Sequence, residues 1–229
     1  MRRPFRIAIP LAAVSSAALA AAAAAAVIPI YSNDMASTAA RSQLVKFGGG
    51  DCSRGRSGEA LKLGVGARTR ECQLRTPVVG SNLDIKATAR LLEGTPSSLQ
   101  SSVYVAVGLR DGSDSQYQLA VFPKKGSFQL RRDEPPNGDR TLLAHGDSKA
   151  VKGVGKPNKI RLQAFPTPDG GTRVAAFVNG KNVASVVEDA HTASTISGRF
   201  TTVAVGAAKA AKDASASFDD LTVAVPDPF

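Results

Sequence analysis

Residues 172–188 read TRVAAFVNGKNVASVVE. Asn179-Gly180 separates two apolar segments, Val174–Val178 and Val183–Val187. Asn-Gly between such segments is the strongest short hairpin signal, because a type I′ turn needs positive φ at both central residues. The segment before it, Asn158 to Ala164, alternates Ile160 and Leu162 with Lys159, Arg161 and Gln163. An apolar face opposite a wet face is how an antiparallel strand covers a core.

The same two-residue period runs outward in both directions. Leu83, Ile85, Ala87, Ala89 and Leu91 alternate with Asp84, Lys86, Thr88 and Arg90. Val103, Val105, Val107 and Leu109 repeat it, as do Tyr117, Leu119 and Val121, then Phe128 and Leu130. Leu221, Val223 and Val225 close the series. Asp111-Gly112-Ser113-Asp114 and Lys124-Lys125-Gly126 punctuate it. Many short strands with such turns mean an all-β antiparallel sandwich or barrel.

Two further stretches, Ser197-Gly198-Arg199-Phe200 and Phe218-Asp219-Asp220-Leu221-Thr222-Val223, complete an order with Asn158–Ala164 and Arg173–Gly180. This order resembles the concanavalin A-like lectin/glucanase superfamily in its laminin-G-like branch. The resemblance is firm from Asn158 to Val225, looser from Leu61 to Arg132, and absent before that. It implies a jelly-roll β-sandwich of an extracellular or envelope protein, here preceded by an N-terminal apolar helix. Its motifs specify a fold and no substrate. The glucanase branch carries an E-x-D-x-E strand. None of Glu59, Glu71, Glu93, Glu134 and Glu188 has a second acidic residue two positions away on a strand.

The N-terminus decides the compartment. Arg2, Arg3 and Arg6 precede a stretch from Ile7 to Asn33 that has no charged residue. A cleaved signal peptide and a membrane anchor over Ile7–Tyr31 both fit. The anchor, with Tyr31 at the interface and the arginines inside, is the expectation adopted. Both place the rest of the chain outside the cytoplasm. The expected division is 1–32 as signal or anchor, 33–50 as flexible linker, and 51–229 as sandwich. Cys52 and Cys72, the only cysteines, are expected to pair in an oxidising compartment.

Composition narrows the function classes. The net charge is +10 and pI ≈ 9.9, which suits anionic partners such as acidic glycans, wall polymers or lipid headgroups. Trp is absent and Tyr occurs three times, so few flat faces exist for a sugar ring. Lys124, Lys125, Arg131 and Arg132 are the candidate basic surface, with Lys149, Lys152 and Lys156. Nucleic-acid binding wants interleaved aromatics, and both their lack and the export signal argue against it. Asp111 and Asp114 are the candidate Ca²⁺ ligands, as laminin-G-like domains often hold calcium at a loop end; a calcium site wants six to eight oxygen ligands, and a hairpin loop explains Asp-Gly fully. No resident cofactor is expected. Glu188 and Asp189, adjacent on a strand, point to opposite faces, and His145 and His191 lie in loops without a nucleophile motif. The expected function is therefore a non-catalytic envelope module that binds a glycan, anionic wall polymer or protein. The alternative is a glycoside hydrolase-like enzyme of the same fold. Three carboxylates converging in a groove on the concave sheet would mark the enzyme; a concave sheet lined by small apolar residues with Lys and Arg would mark the module.

Overall fold

The computed structural model describes residues 27–47, 50–66, 69–80, 82–110, 115–134, 139–189, 200–207 and 213–226. In chain order the first elements are β1 (Val27–Asn33), α1 (Thr38–Ser42), β2 (Val45–Phe47), β3 (Cys52–Ser57), β4 (Ala60–Val65) and β5 (Glu71–Val79). Then come β6 (Asp84–Leu91), α2 (Ser97–Gln100), β7 (Val103–Arg110), β8 (Gln116–Phe122), β9 (Ser127–Glu134) and β10 (Asp139–Asp147). The chain ends with β11 (Asn158–Pro166), β12 (Thr172–Val178), β13 (Lys181–Glu188), β14 (Phe200–Ala207) and β15 (Ser215–Pro226).

These strands form two antiparallel sheets packed face to face. Sheet A runs β13-β12-β11-β6-β15-β4-β3, with β1 also on β15; sheet B runs β10-β9-β8-β7-β14-β5-β2. Chain neighbours such as β5 and β6 lie in different sheets, so the chain crosses between layers as a jelly roll does. The period-2 apolar positions meet between the layers. Ile85, Ala87 and Ala89 of sheet A and Val105, Val107, Leu119 and Val203 of sheet B are fully buried there. Met35, Leu44, Phe218 and Leu162 join the same core.

The deciding hairpin has the geometry its sequence asks for. Asn179 and Gly180 have φ of 50° and 82°, and β12 and β13 pair on either side from Val178 and Lys181. The Asn179 side chain accepts from the Lys159 amide at 2.9 Å and donates to the Ala150 carbonyl at 2.7 Å. An aspartate could not make the second bond. Asn158 is fully buried because it accepts from the Lys152 amide at 2.8 Å and donates to the Lys152 carbonyl at 3.0 Å.

Residues 27–47 belong to the sandwich. Val27–Tyr31, the end of the stretch read as an anchor, is strand β1, paired with β15; Ile7–Ala26 lies outside the described residues. Within 33–50, the stretch read as a tether, Asn33 donates to the Ala40 carbonyl at 2.7 Å. Arg41 donates to the Met35 carbonyl at 2.6 Å, and Ser37 caps α1 through the Ala40 amide at 2.9 Å. These bonds let Met35 and Leu44 reach the core. Among the described residues no helix is long and apolar enough to cross a membrane. Cys52 and Cys72 form a disulfide that ties β3 of sheet A to β5 of sheet B, as the oxidising-compartment reading expects.

Candidate functional site

Strand alternation gives sheet B a second face, turned away from the core, and the unusual chemistry is there. Registers align four rows across it. Small residues occupy the middle strands: Ala106 and Gly108 on β7, Ala120 on β8, Ala204 and Gly206 on β14. Long polar side chains from the flanking positions fold over this floor.

Tyr104 shows why the floor must be small. A Cβ on Gly206 would sit 2.4 Å from the Tyr104 hydroxyl, so only glycine lets the ring lie across β14. The ring packs on Phe122 with centroids 5.4 Å apart, and its hydroxyl donates to Glu71 on β5. The Arg131 guanidinium stacks 4.4 Å above the same ring. Arg131 donates through Nε to Gln118 at 2.9 Å and stands 3.7 Å from Glu71. Gln118 donates to Glu71 at 2.8 Å, and Gln73 donates to it as well. Burial, and behind it the Glu71 charge, pushes the Tyr104 phenol well above its ordinary range. Tyr104 is thus a neutral donor, held by a carboxylate that has several other donors.

The network continues to the far edge. Gln116 donates to Asp133 at 2.8 Å, and Arg140 donates to Asp133 at 2.7 and 3.3 Å. Arg110 donates to Gln73 at 3.2 Å and stacks 4.2 Å from the Phe47 ring. Arg75 stacks 5.3 Å from Phe200, and Phe200 is the register partner of Arg110. Phe47, Arg110, Phe200 and Arg75 therefore form a partly exposed cationic-aromatic rim. Inside it, Gln118 and Thr202 are fully buried, and the Thr202 hydroxyl has no hydrogen-bond partner among the described residues. Among the described residues the face carries four guanidiniums, Arg75, Arg110, Arg131 and Arg140, and the Lys125 ammonium, against the carboxylates Glu71, Asp133 and, at the β10 edge opposite Ser127, Asp147. Two amides bridge Glu71 and Asp133: Gln73 donates to Glu71 and also to Gln116 at 3.4 Å, and Gln116 donates to Asp133.

The sequence candidates are divided by this geometry. Lys124 and Lys125 are exposed on the β8–β9 turn, with the Lys125 ammonium 5.8 Å from the Phe122 ring. Arg131 and Arg132 are buried and, as consecutive strand residues, face opposite ways. Arg131 joins the outer network. Arg132 turns into the core and pairs with Glu188 of sheet A, whose other oxygen accepts from Tyr117. Glu188 is therefore an inter-sheet staple. Lys125 and Arg131 share the outer face through Phe122 and Tyr104, and Arg132 is separated from them by facing the core. Asp111, Asp114 and His191 lie outside the described residues. Among the described residues no three His, Cys, Asp or Glu side chains gather to hold a metal ion.

Glu71, Gln73, Tyr104, Arg110, Gln116, Gln118 and Asp133 escaped the sequence reading. The available signal was Gln116 and Gln118 flanking inward-facing Tyr117, since two amides on the outward side of an otherwise apolar strand are unusual. What brings them to Glu71 is strand order, which alternation does not reveal.

No family model matches the chain, and no curated protein matches it. Solved structures do. Carbohydrate-binding module CBM66 from Bacillus subtilis has a TM-score of 0.56 at 15% identity, covering 79% of this chain and 94% of that one. A Bacillus subtilis protein of unknown function with a galectin-like fold has a TM-score of 0.61 at 14% identity, covering 88% and 100%. A lichenase from a mouse hindgut metagenome has a TM-score of 0.61 at 10% identity, covering 86% and 99%. The chain therefore has an antiparallel jelly-roll fold, which it shares with a carbohydrate-binding module, a protein of galectin-like fold and a lichenase.

Proposed function

We propose that the chain is an exported glycan-binding module whose outer face of sheet B takes an acidic polysaccharide. The observation that carries this reading is the cationic-aromatic rim of Phe47, Arg110, Phe200 and Arg75 around a floor of small residues. Guanidiniums are preorganised, bidentate donors for carboxylate, sulfate or phosphate, and stacking on phenylalanine holds their planes in place. Arg75, Arg110, Arg131, Arg140 and Lys125 against Glu71, Asp133 and Asp147 give the face a net positive charge, complementary to an acidic chain. The fold is shared with a carbohydrate-binding module, and the disulfide suits an exported protein.

Hydrolysis is the weaker reading. It needs two carboxyl groups facing a substrate across one cleft, and the oxygens of Glu71 and Asp133 are already taken by Tyr104, Gln73, Gln118, Gln116 and Arg140. Tyr104, its phenol held protonated, is a poor general base at neutral pH.

The test is a titration of the isotope-labelled chain with oligomers of a polyuronate, followed by amide chemical shifts. Shifts confined to β2, β5, β7, β9 and β14 support the reading. Shifts confined to sheet A, or none at saturating oligomer, overturn it.

A further inference from the structure

Sheet A also has an outward face, and it holds a cavity of about 320 Å³ lined by Ser32, Asn33, Asp34, Lys86, Thr88, Lys159, Asp220, Leu221 and Thr222. Its position follows from a fault in β15. Pairing with β6 shifts register between Asp219 and Thr222, and Asp220 takes a φ of 48°. A non-glycine residue rarely adopts that conformation, and β-bulges commonly re-aim a side chain. Here the bulge delivers the Asp220 carboxylate over β6, where Thr88 donates to it at 3.1 Å.

The charges around the cavity are segregated. Lys86 and Lys159 come from β6 and β11 on one side; on the other, Asp220 comes from β15 and Asp34 is the residue after β1. All four are exposed, and among the described residues none of them forms an ion pair. Two ammoniums and two carboxylates thus share a cavity without neutralising each other. Partial burial, then the charges of Asp220, Asp34 and Glu59, push the neighbouring Asp219 carboxyl up. The volume is at the small end for ligand pockets, roughly 300–1,000 Å³.

We propose that this cavity is a second binding site, for a small zwitterionic group: an ammonium taken by Asp34 and Asp220, and a carboxylate or phosphate a few bonds away taken by Lys86 and Lys159. A ligand carrying only one of the charges meets half of its complement and half of its repulsion. The site lies on the opposite sheet from the proposed glycan face and does not depend on it.

The experiment is calorimetric titration of the full chain with 2-aminoethyl phosphate and with alanine, against inorganic phosphate and ethylamine. Binding of either zwitterion at least tenfold tighter than both single-charge probes is the expected result. The preferred zwitterion tells phosphate from carboxylate. Lys159→Gln, an exposed change that leaves the core intact, is expected to weaken binding at least tenfold. Asp220→Asn, with its fold checked by thermal melting, should do the same. Lys124→Gln, on the β8–β9 turn, should leave it unchanged. Phosphate or ethylamine binding as well as the zwitterions, or no saturable binding of either zwitterion, overturns the proposal, as does unaltered binding by Lys159→Gln.

Discussion

Gly206 is where one missing carbon decides the site. Adding a Cβ drives it into the Tyr104 ring, so Gly206→Ala should cost about 1–3 kcal/mol, the usual range for overpacking, and displace Tyr104 from Glu71. Gly55, with nothing within 4 Å of its built Cβ, is the control; Gly55→Ala should stay within about 0.5 kcal/mol. Urea denaturation of the two variants checks both. Tyr104 also sets an alkaline limit. Its folded-state pKa is raised, so the folded chain holds that proton more tightly than the unfolded one. The stability this contributes is intact below about pH 10, the free phenol value, and is lost as pH rises toward the folded-state pKa. Tyr104→Phe should remove that part of the alkaline slope in melts from pH 8 to 11. It should also lower stability near neutrality by about 2 kcal/mol through the lost bond to a carboxylate. Glu188 belongs to the core side. Glu188→Gln removes the carboxylate that pairs with buried Arg132 and accepts from Tyr117, and should destabilise by about 3–5 kcal/mol, read as a lower urea midpoint.

At the scale of elements, the strands that cover one face of the core were legible and the strands that do not were hidden. β6, β7 and β11 alternate cleanly because one side of each is dry. β1 reads VIPIYSN, with Ile28 and Ile30 both nearly half exposed and Pro29 beside a register shift. Its apolar run is continuous with the alanine-rich segment before it, so hydropathy alone extends an anchor across it. Pairing with β15 and the bond from the Tyr31 hydroxyl to Gln43 at 3.0 Å make it a strand. The polar site was less legible still. Gln118, Arg131, Tyr104 and Glu71 come from four strands, and their meeting depends on β14 inserting between β7 and β5. Asp84 looked solvent-facing by alternation; Arg161 and Gln163 on the neighbouring β11 cover it, leaving it 3% exposed. Cross-strand partners, invisible in a local pattern, bury charges that alternation places outside. The disulfide is an element-scale tie between sheets. Its cysteines are 20 positions apart, and closing a loop near that size is worth about 3 kcal/mol in the chain-entropy model. Cys52→Ala with Cys72→Ala should lower the melting temperature accordingly. An unchanged melt would show that the edge packing of β3 and β5 suffices alone.

For the whole molecule, two sheets give two outward faces of different character. Sheet A presents segregated lysines and aspartates around a cavity; sheet B presents guanidiniums and phenyl rings over a floor of glycine and alanine. The core between them fixes which residues point outward, and the disulfide, the Arg132–Glu188 pair and the buried asparagines hold the layers in place. Recognition of an acidic glycan by sheet B is the central claim. Isothermal titration of the chain with a polyuronate and with the same polymer after its carboxyl groups are reduced to alcohols tests it most directly. The account predicts at least a tenfold loss of affinity on reduction, and a comparable loss for the acidic polymer with Arg110→Gln. Equal affinity for the two polymers, or unchanged affinity of Arg110→Gln for the acidic one, would contradict it.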